Sequence, residues 1–543
     1  MKKNIQENII QLIKESLKGL EGSSLEDPQL DIPQDPKFGD FSANIAMRLS
    51  KQLKKPPRDI AAKLITNINS EMEKAGLKNY IKEVKVEGAG FINFYLSERY
   101  LYESLKDILI REKEALPENL GKGKRVLIEF VSANPTGALS VAHARQAAVG
   151  DALASILEFL GFKVKKEYYL NDEGNQINIL GKSTELRMKE LAGEKIEFPE
   201  DYYQGEYIND IAKIAKEKGI KADDLGNFAA DYILSIIKQE LHDFGVEFDC
   251  WYSQKELGKS GKIDEAFDYL KKKSLLYEEG GALWFKSTDF LDDKDRVVVK
   301  SDGSQTYLAP DIAYHDDKYK RGFEWLINIW GPDHHGYINR LKSSVAAFGR
   351  DPNSLSILIV QLATIFRDGK PVQMSTRRGE YITLREVLDE VGRDAARFFF
   401  MARRTSSHLD FDLDIAKAQT AQNPVYYVQY AHARIYSILR NSIIKLDKDA
   451  GLSLLKEKEE LALIKKLLQF SYILNICFST QDPYMLTVYL QELSESFHKF
   501  YDACRVLTEN EPLTKARLAL IEGVRIVIAA GLDLLGVSKP EKM

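Results

Sequence analysis

The stretch from Glu129 to His143 restricts the possible folds of this chain more than any other. Residues 126–131 are apolar except for Glu129, as expected of a strand buried on both faces of a parallel sheet. Residues 132–140, with Pro135 and Gly137, form the loop that leaves the strand's carboxyl end. Residues 141–160 form a helix stopped by Gly161. Strand, turn and helix in that order make one crossover of an open α/β sheet. Ligands of such sheets sit at the carboxyl edge, where the free N–H groups of a helix start can meet phosphate.

A chain of 543 residues divides into about three domains. Its 44% hydrophobic and 29% charged residues support packed cores rather than disorder. The cysteines Cys250, Cys477 and Cys504 are far apart and lack metal-like spacing, so they read as reduced thiols and the expected compartment is cytoplasmic. The first twenty residues repeat Ile5, Ile9, Ile13 and Leu17 at helical spacing between charges, which predicts an amphipathic helix rather than a signal peptide. No uninterrupted apolar run approaches the ~18 residues of a membrane span, so no membrane partner is expected. With a net charge of −5, a nucleic-acid partner must be held by local basic patches.

Along the chain, residues 1–115 mix helical periodicity with a strand-like ending at 88–96, and a boundary falls near Pro117. From 120 to 410 strand and helix signals alternate, as a parallel sheet requires. Within this span, residues from about 182 to 296 are charged, tyrosine-rich and helix-like, and read as an insertion between two halves of the sheet. Residues 415–543 read as helices, at 424–439, 457–478, 485–504 and 513–535.

Four segments carry chemistry. His143 alone would read as a packing residue, but its place at a helix start after a Pro-Thr-Gly loop favours a polyanion ligand. Gly369-Lys-Pro-Val-Gln-Met-Ser-Thr-Arg-Arg-Gly379 is either a solvated basic turn or a phosphate loop, set between an apolar strand at 357–362 and a helix from Leu384. Tyr307 and Asp311, four residues apart, can share one pocket wall if the turn is helical. A carboxylate beneath an aromatic ring suits a guanidinium, the alternative being a surface cap at Asp311. Ile327-Asn-Ile-Trp-Gly-Pro-Asp-His-His-Gly336 is a strand entering a polar turn. Its adjacent His334 and His335 point apart, so no metal site is expected there.

In these segments the chain resembles the arginyl-tRNA synthetases of the bacterial type, a class I aminoacyl-tRNA synthetase family. The resemblance rests on an ordered set of motifs. It begins with Pro36-Lys-Phe-Gly-Asp-Phe-Ser-Ala-Asn-Ile-Ala-Met47, Gly90-Phe-Ile-Asn-Phe94, Ser132-Ala-Asn-Pro-Thr-Gly137 and Tyr169-Leu-Asn-Asp-Glu-Gly-Asn-Gln176. It continues with Ser301 to His315, Trp330-Gly-Pro-Asp-His-His-Gly-Tyr337, Val372 to Gly379, Ser407-His-Leu-Asp-Phe-Asp412, Asn423 to Arg434 and Pro540-Glu-Lys-Met543. The resemblance implies a multidomain α/β protein. Its parts would be an N-terminal α+β domain over 1–115 that binds the tRNA elbow, a Rossmann-like catalytic domain over 120–410, and an all-α anticodon-binding domain over 415–543.

It also implies roles for matching positions. Glu129, Asn134, Tyr307 and Asp311 would hold arginine, with Asp311 facing the guanidinium. Gly331, Asp333, His334, Met374 and Ser375 would bind ATP, with Mg²⁺ on its phosphates. Phe91 and Asn93 would read a D-loop base, and Tyr427 and Met543 would lie at the anticodon. Where the family commonly has His-x-Gly-His, this chain has Ser140-Val-Ala-His143, and where it often has Lys-Met-Ser-Lys-Arg, this chain has Gln373-Met-Ser-Thr-Arg377. The lysine that some members carry shortly before the first signature is Gly137 here. His143, Ser140, Arg377 and Arg378 are therefore the expected catalytic set. The implied activity is ATP-dependent ligation of arginine to tRNA(Arg) through an arginyl-adenylate, by a monomer. The alternative is a catalytically silent paralogue that binds tRNA or arginine as a regulatory module.

Overall fold

The computed structural model describes residues 5–20, 27–117, 119–372 and 381–543. By packing, the chain forms two compact units. One comprises Met1–Leu116, Ile435–Phe470 and Glu495–Val527, the other Pro117–Arg434, Ser471–Ser494 and Ile528–Met543.

In the first unit, strands β1 (Phe41–Ala43), β2 (Ile81–Glu87) and β3 (Phe91–Leu96) form an antiparallel sheet with β3 in the centre. Period-two alternation buries Ile92, Phe94 and Leu96, and the helices Ile5–Lys18 and Pro57–Lys74 bury Ile9, Ile13, Leu64 and Ile68. The β2–β3 turn needs glycine at Gly90, whose φ is +128° and where a Cβ would lie 2.8 Å from the Cβ of Pro57.

The second unit is built on β4 (Arg125–Glu129), β5 (Lys163–Leu170), β6 (Cys250–Ser253), β7 (Leu276–Glu279), β8 (Ala282–Phe285), β9 (Arg296–Val299), β10 (Trp325–Trp330) and β11 (Leu355–Ile359). Five of these form a parallel sheet in the order β11-β10-β4-β5-β6. The chain builds outward from β4 to β6, then returns to the other side of β4. The order therefore reverses between β4 and β10, and a crevice opens at their carboxyl ends. The span 182–296 holds the helices Glu206–Glu217 and Leu225–Asp243, but also β6, which hydrogen-bonds to β5 in the main sheet, and the antiparallel β7-β8-β9 sheet.

Beyond β11 the chain makes β12 (Ala363–Arg367), β13 (Lys370–Pro371) and, later, β14 (Leu409–Asp412). Gly369 and Lys370 thus belong to a β12–β13 hairpin rather than to a loop that directly follows β11. The apolar strand expected at 357–362 ends at Ile359, because Gln361 and Leu362 offer their carbonyls to a buried arginine, Arg145. Farther on, the helix expected at 457–478 is two helices, Lys458–Leu468 and Phe470–Thr480. Among the described residues this one run, Lys458–Thr480, has the length and composition of a membrane-crossing helix, yet Leu463, Ile464, Leu467, Leu474 and Cys477 along it are buried.

The helix Val141–Phe159 is covered nearly all round, which is why its residues are small: Ala144, Ala147, Ala148, Gly150, Ala152 and Ala154. Gly150 lies over the ring of Phe130, which is itself backed by Phe248 at a centroid distance of 4.5 Å. A Cβ on Gly150 would come 2.4 Å from Phe130 Cγ. Gly150→Ala is therefore expected to lower the thermal unfolding midpoint. The overpacking cost of about 1–3 kcal/mol exceeds the ~1 kcal/mol that alanine gains in a helix. A midpoint at or above that of the unmodified protein would show that the helix can lift from Phe130 freely.

Candidate active site

The central pair sets the site. β4 and β10 run in register, Asn328 beside Glu129, so both strands open on the same edge. The chain leaves β4 through Val131 and Ser132 at φ of +67° and +41°, a conformation that a β-branched residue rarely adopts. Such strain costs about 1–3 kcal/mol and persists only where the surroundings enforce it. Here Ser132 Oγ donates to Glu129 Oε1 at 3.2 Å and accepts the Tyr169 N–H at 3.1 Å, while Tyr168 Oη donates to the Ala133 carbonyl at 2.8 Å.

The loop ends at Ser140, the N-cap of the helix that carries His143. His143 Nδ1 accepts the Ser140 backbone N–H at 3.2 Å and lies 3.1 Å from Ser140 Oγ. A backbone N–H can only donate, so Nδ1 is unprotonated and the ring proton sits on Nε2. Burial pushes the His143 pKa down to about 4, against the opposing charge of Asp333. The ring is therefore a neutral donor at the start of a helix. The Ser140 side chain serves that ring.

On the other wall, Asp311 lies in the first turn of the helix Leu308–Lys320. It is not a surface cap. Tyr337 Oη donates to its Oδ2 at 2.7 Å, and burial, reinforced by the Glu129 charge, raises its pKa to about 6. Glu129 pairs with the buried Lys318 at 2.5 Å, and Lys318 also reaches Asn328 Oδ1 at 3.2 Å. Tyr307 stands just before the helix and is 70% exposed, and Asn134 Nδ2 donates to Gln176 Oε1 at 2.6 Å. Sequence reasoning misses Tyr337 and Lys318. Lys318 has a signal, since it is seven residues beyond Asp311 and so lies on the same helix face.

Gly331, Asp333 and His334 follow β10, the last two in the short helix Pro332–Tyr337. A Cβ at Gly331 would come 2.7 Å from Asp333 Oδ1, and the Asp333 and His334 side chains are exposed. Met374, Ser375, Arg377 and Arg378 lie outside the described residues. The chain that follows them is tied to the first loop: Leu384 N–H donates to the Leu139 carbonyl at 2.8 Å and Val141 N–H to that of Ile382 at 3.3 Å. In the first unit, Phe91 is exposed and Asn93 buried on β3, where Asn93 Oδ1 accepts from Ser42 Oγ at 2.6 Å. Tyr427 is half-buried in the helix Pro424–Asn441, and Met543 is half exposed.

The chain matches three family models: Arginyl tRNA synthetase N terminal domain over residues 7–96, tRNA synthetases class I (R), catalytic domain over 104–437, and DALR anticodon binding domain over 428–543. The arginine–tRNA ligase of Geobacter sp. (strain M21) is 48% identical, over 97% of this chain and 98% of that protein. That of Listeria monocytogenes serotype 4b (strain F2365) is 44% identical, over 99% and 100%. The Thermus thermophilus arginyl-tRNA synthetase shares the fold, with a TM-score of 0.79 at 23% identity over 99% of this chain and 100% of that one.

The raised pKa of Asp311 has a stability consequence. A carboxyl whose folded pKa lies above its unfolded value stabilises the fold below the unfolded pKa, and that contribution is lost as pH rises through about 6. Asp311→Asn should thus raise the unfolding midpoint at pH 8 and leave it nearly unchanged at pH 4. Equal shifts at both pH values would mean that Asp311 carries no buried charge.

Proposed function

This chain belongs to the arginyl-tRNA synthetase family, and on that premise we propose how its residues share the reaction. It is an arginine–tRNA ligase that uses ATP to join arginine to tRNA. No observation favours a silent paralogue. Asp311 takes the guanidinium, with Glu129, Asn134 and Tyr307 around the rest of the amino acid. The observation that carries this reading is the Asp311 carboxylate, held by Tyr337 beside Glu129 at the sheet's switch point. Lys318 already answers Glu129, which leaves the Asp311 carboxylate to take the cation of the substrate.

ATP enters as its Mg²⁺ complex over Gly331, Asp333, His334, Met374 and Ser375. The arginine carboxylate attacks the α-phosphorus and pyrophosphate leaves. His143 offers Nε2–H to the phosphates, the helix N-terminus adds its free N–H groups, and Arg377 and Arg378 supply the charge that lysines supply in relatives. Ser140 keeps His143 in the donating tautomer. A hydroxyl of the terminal ribose of tRNA then attacks the carbonyl of the arginyl-adenylate so formed, the anhydride C–O bond breaks, and AMP leaves. Phe91, from its exposed ring, and Asn93, from its buried place on β3, serve the D-loop contact, and Tyr427 and Met543 meet the anticodon. Residues 1–115, 120–410 with the insertion at about 182–296, and 415–543 divide these tasks in a monomeric, cytoplasmic enzyme without a membrane partner.

Pyrophosphate exchange with arginine, measured with and without tRNA(Arg), tests the assignment. Asp311→Ala should weaken arginine use by about 2–5 kcal/mol, a rise in KM of roughly thirtyfold or more. Unchanged arginine kinetics would remove Asp311 from the pocket. Arg377→Ala should lower turnover by roughly two to three orders of magnitude, the range for loss of one preorganised donor, while arginine KM stays near that of the unmodified enzyme. Full turnover in that variant would leave the charge to other groups.

A further inference from the structure

Two tyrosines hold the loop that leads to His143 at Thr136 and Ala138, and a carboxyl faces it at Leu139. Tyr207, in the helix Glu206–Glu217, donates its hydroxyl to the Thr136 carbonyl at 2.7 Å. Tyr381 donates to the Ala138 carbonyl at 3.0 Å. Glu240, in the helix Leu225–Asp243 and only 5% exposed, faces the Leu139 N–H, which favours its charged form. Its Oε2 has no hydrogen-bond partner among the described residues. Burial raises the Glu240 pKa to about 7, against Arg385 and with Asp243 and Asp389 nearby. An ionisable carboxyl kept in such a place costs stability, so packing alone does not account for it.

The glycine between these anchors fits the same arrangement. A Cβ at Gly137 would lie 3.4 Å from Tyr381 Oη and 3.5 Å from Tyr207 Oη, ordinary van der Waals contact, so both hydroxyls lie close against the main chain here. The next residues, Ser140 and Val141, pair with Thr383 and Ile382, which follow Tyr381 directly. The anchored loop ends on the Ser140 N–H that fixes the His143 tautomer.

We propose that Tyr207, Glu240 and Tyr381 are positioning residues for adenylation, acting on the ATP phosphates only through His143 by fixing the main chain of residues 136–139. The proposal rests on the assignment of His143 to the phosphates. It gives the helices Glu206–Glu217 and Leu225–Asp243 a part in catalysis although neither supplies a group that touches substrate.

The test is tRNA-dependent pyrophosphate exchange on the full-length enzyme, combined with a double-mutant cycle. Tyr207→Phe and Tyr381→Phe should each lower kcat by roughly three- to tenfold, the loss of one hydrogen bond, with arginine KM changed by less than about twofold. Glu240→Gln keeps an acceptor for Leu139 and should stay close to the unmodified enzyme, whereas Glu240→Leu should lose activity. In a His143→Ala background the two phenylalanine changes should cause no further loss. Additive losses in that background, or unchanged kcat in the single variants while His143→Ala is impaired, would overturn the proposal. Full activity of His143→Ala would instead overturn the His143 assignment on which it rests. Glu240→Leu is the variant at risk of misfolding, and the two phenylalanine changes decide the matter without it.

Discussion

The guanidinium of Arg145 holds the helix Val141–Phe159 in place, and the position of the helix start that carries His143 depends on it. Arg145 lies two residues beyond His143, is fully buried, and donates to the carbonyls of Gln361 at 2.7 Å, Arg404 at 3.0 Å and Ser407 at 3.0 Å, with longer contacts to Leu362 and Phe400. No carboxylate pairs with it among the described residues, and burial lowers its pKa to about 10. Backbone carbonyls thus meet the whole demand of a buried cation. The net energy of such an arrangement is small, because desolvation offsets most of what the hydrogen bonds return. Its value is geometric. One side chain joins the helix start to the segment after β11 and to the turn before β14, elements far apart in the chain.

Against that rigid frame, the unfavourable features gather at one edge. Val131 and Ser132 leave β4 in left-handed conformations, desolvation raises the pKa values of Asp311 and Glu240, and His143 is kept neutral. Each costs stability where it stands. Their clustering at the carboxyl ends of β4 and β10 is the pattern expected of a site arranged for its substrates rather than for packing. The Lys318–Glu129 pair fits that pattern, since the buried cation that meets Glu129 comes from the helix that also carries Asp311.

Local order is legible in the sequence, and long-range pairing is not. The apolar run at 126–131 and the helix at 141–160 correspond to β4 and the helix Val141–Phe159, because periodicity and a stop at Gly161 are local signals. Asp311 stands out from its spacing with Tyr307. Its actual partner, Tyr337, does not, because the contact joins two elements through the crevice and leaves no periodic trace. For the same reason β6 is hidden inside a helix-like span. It has only four residues, and its pairing with β5 is set by the sheet. The β12–β13 hairpin escapes notice because a Gly-containing basic stretch reads equally well as a loop.

The reversal of strand order has a consequence for how the molecule comes into being. Arg125 N–H reaches Glu324 Oε1 across 199 residues of sequence, so the two central strands meet only after a very long loop has closed. During synthesis, β4, its helix, β5 and β6 all emerge before β10 exists. A nascent chain of that length has one wall of the crevice and no opposite wall. It can fold locally, but it has nothing with which to grip a nucleotide. The competence to bind cannot precede the pairing of β10 with β4, and an unfinished chain lacks the opposite wall until then.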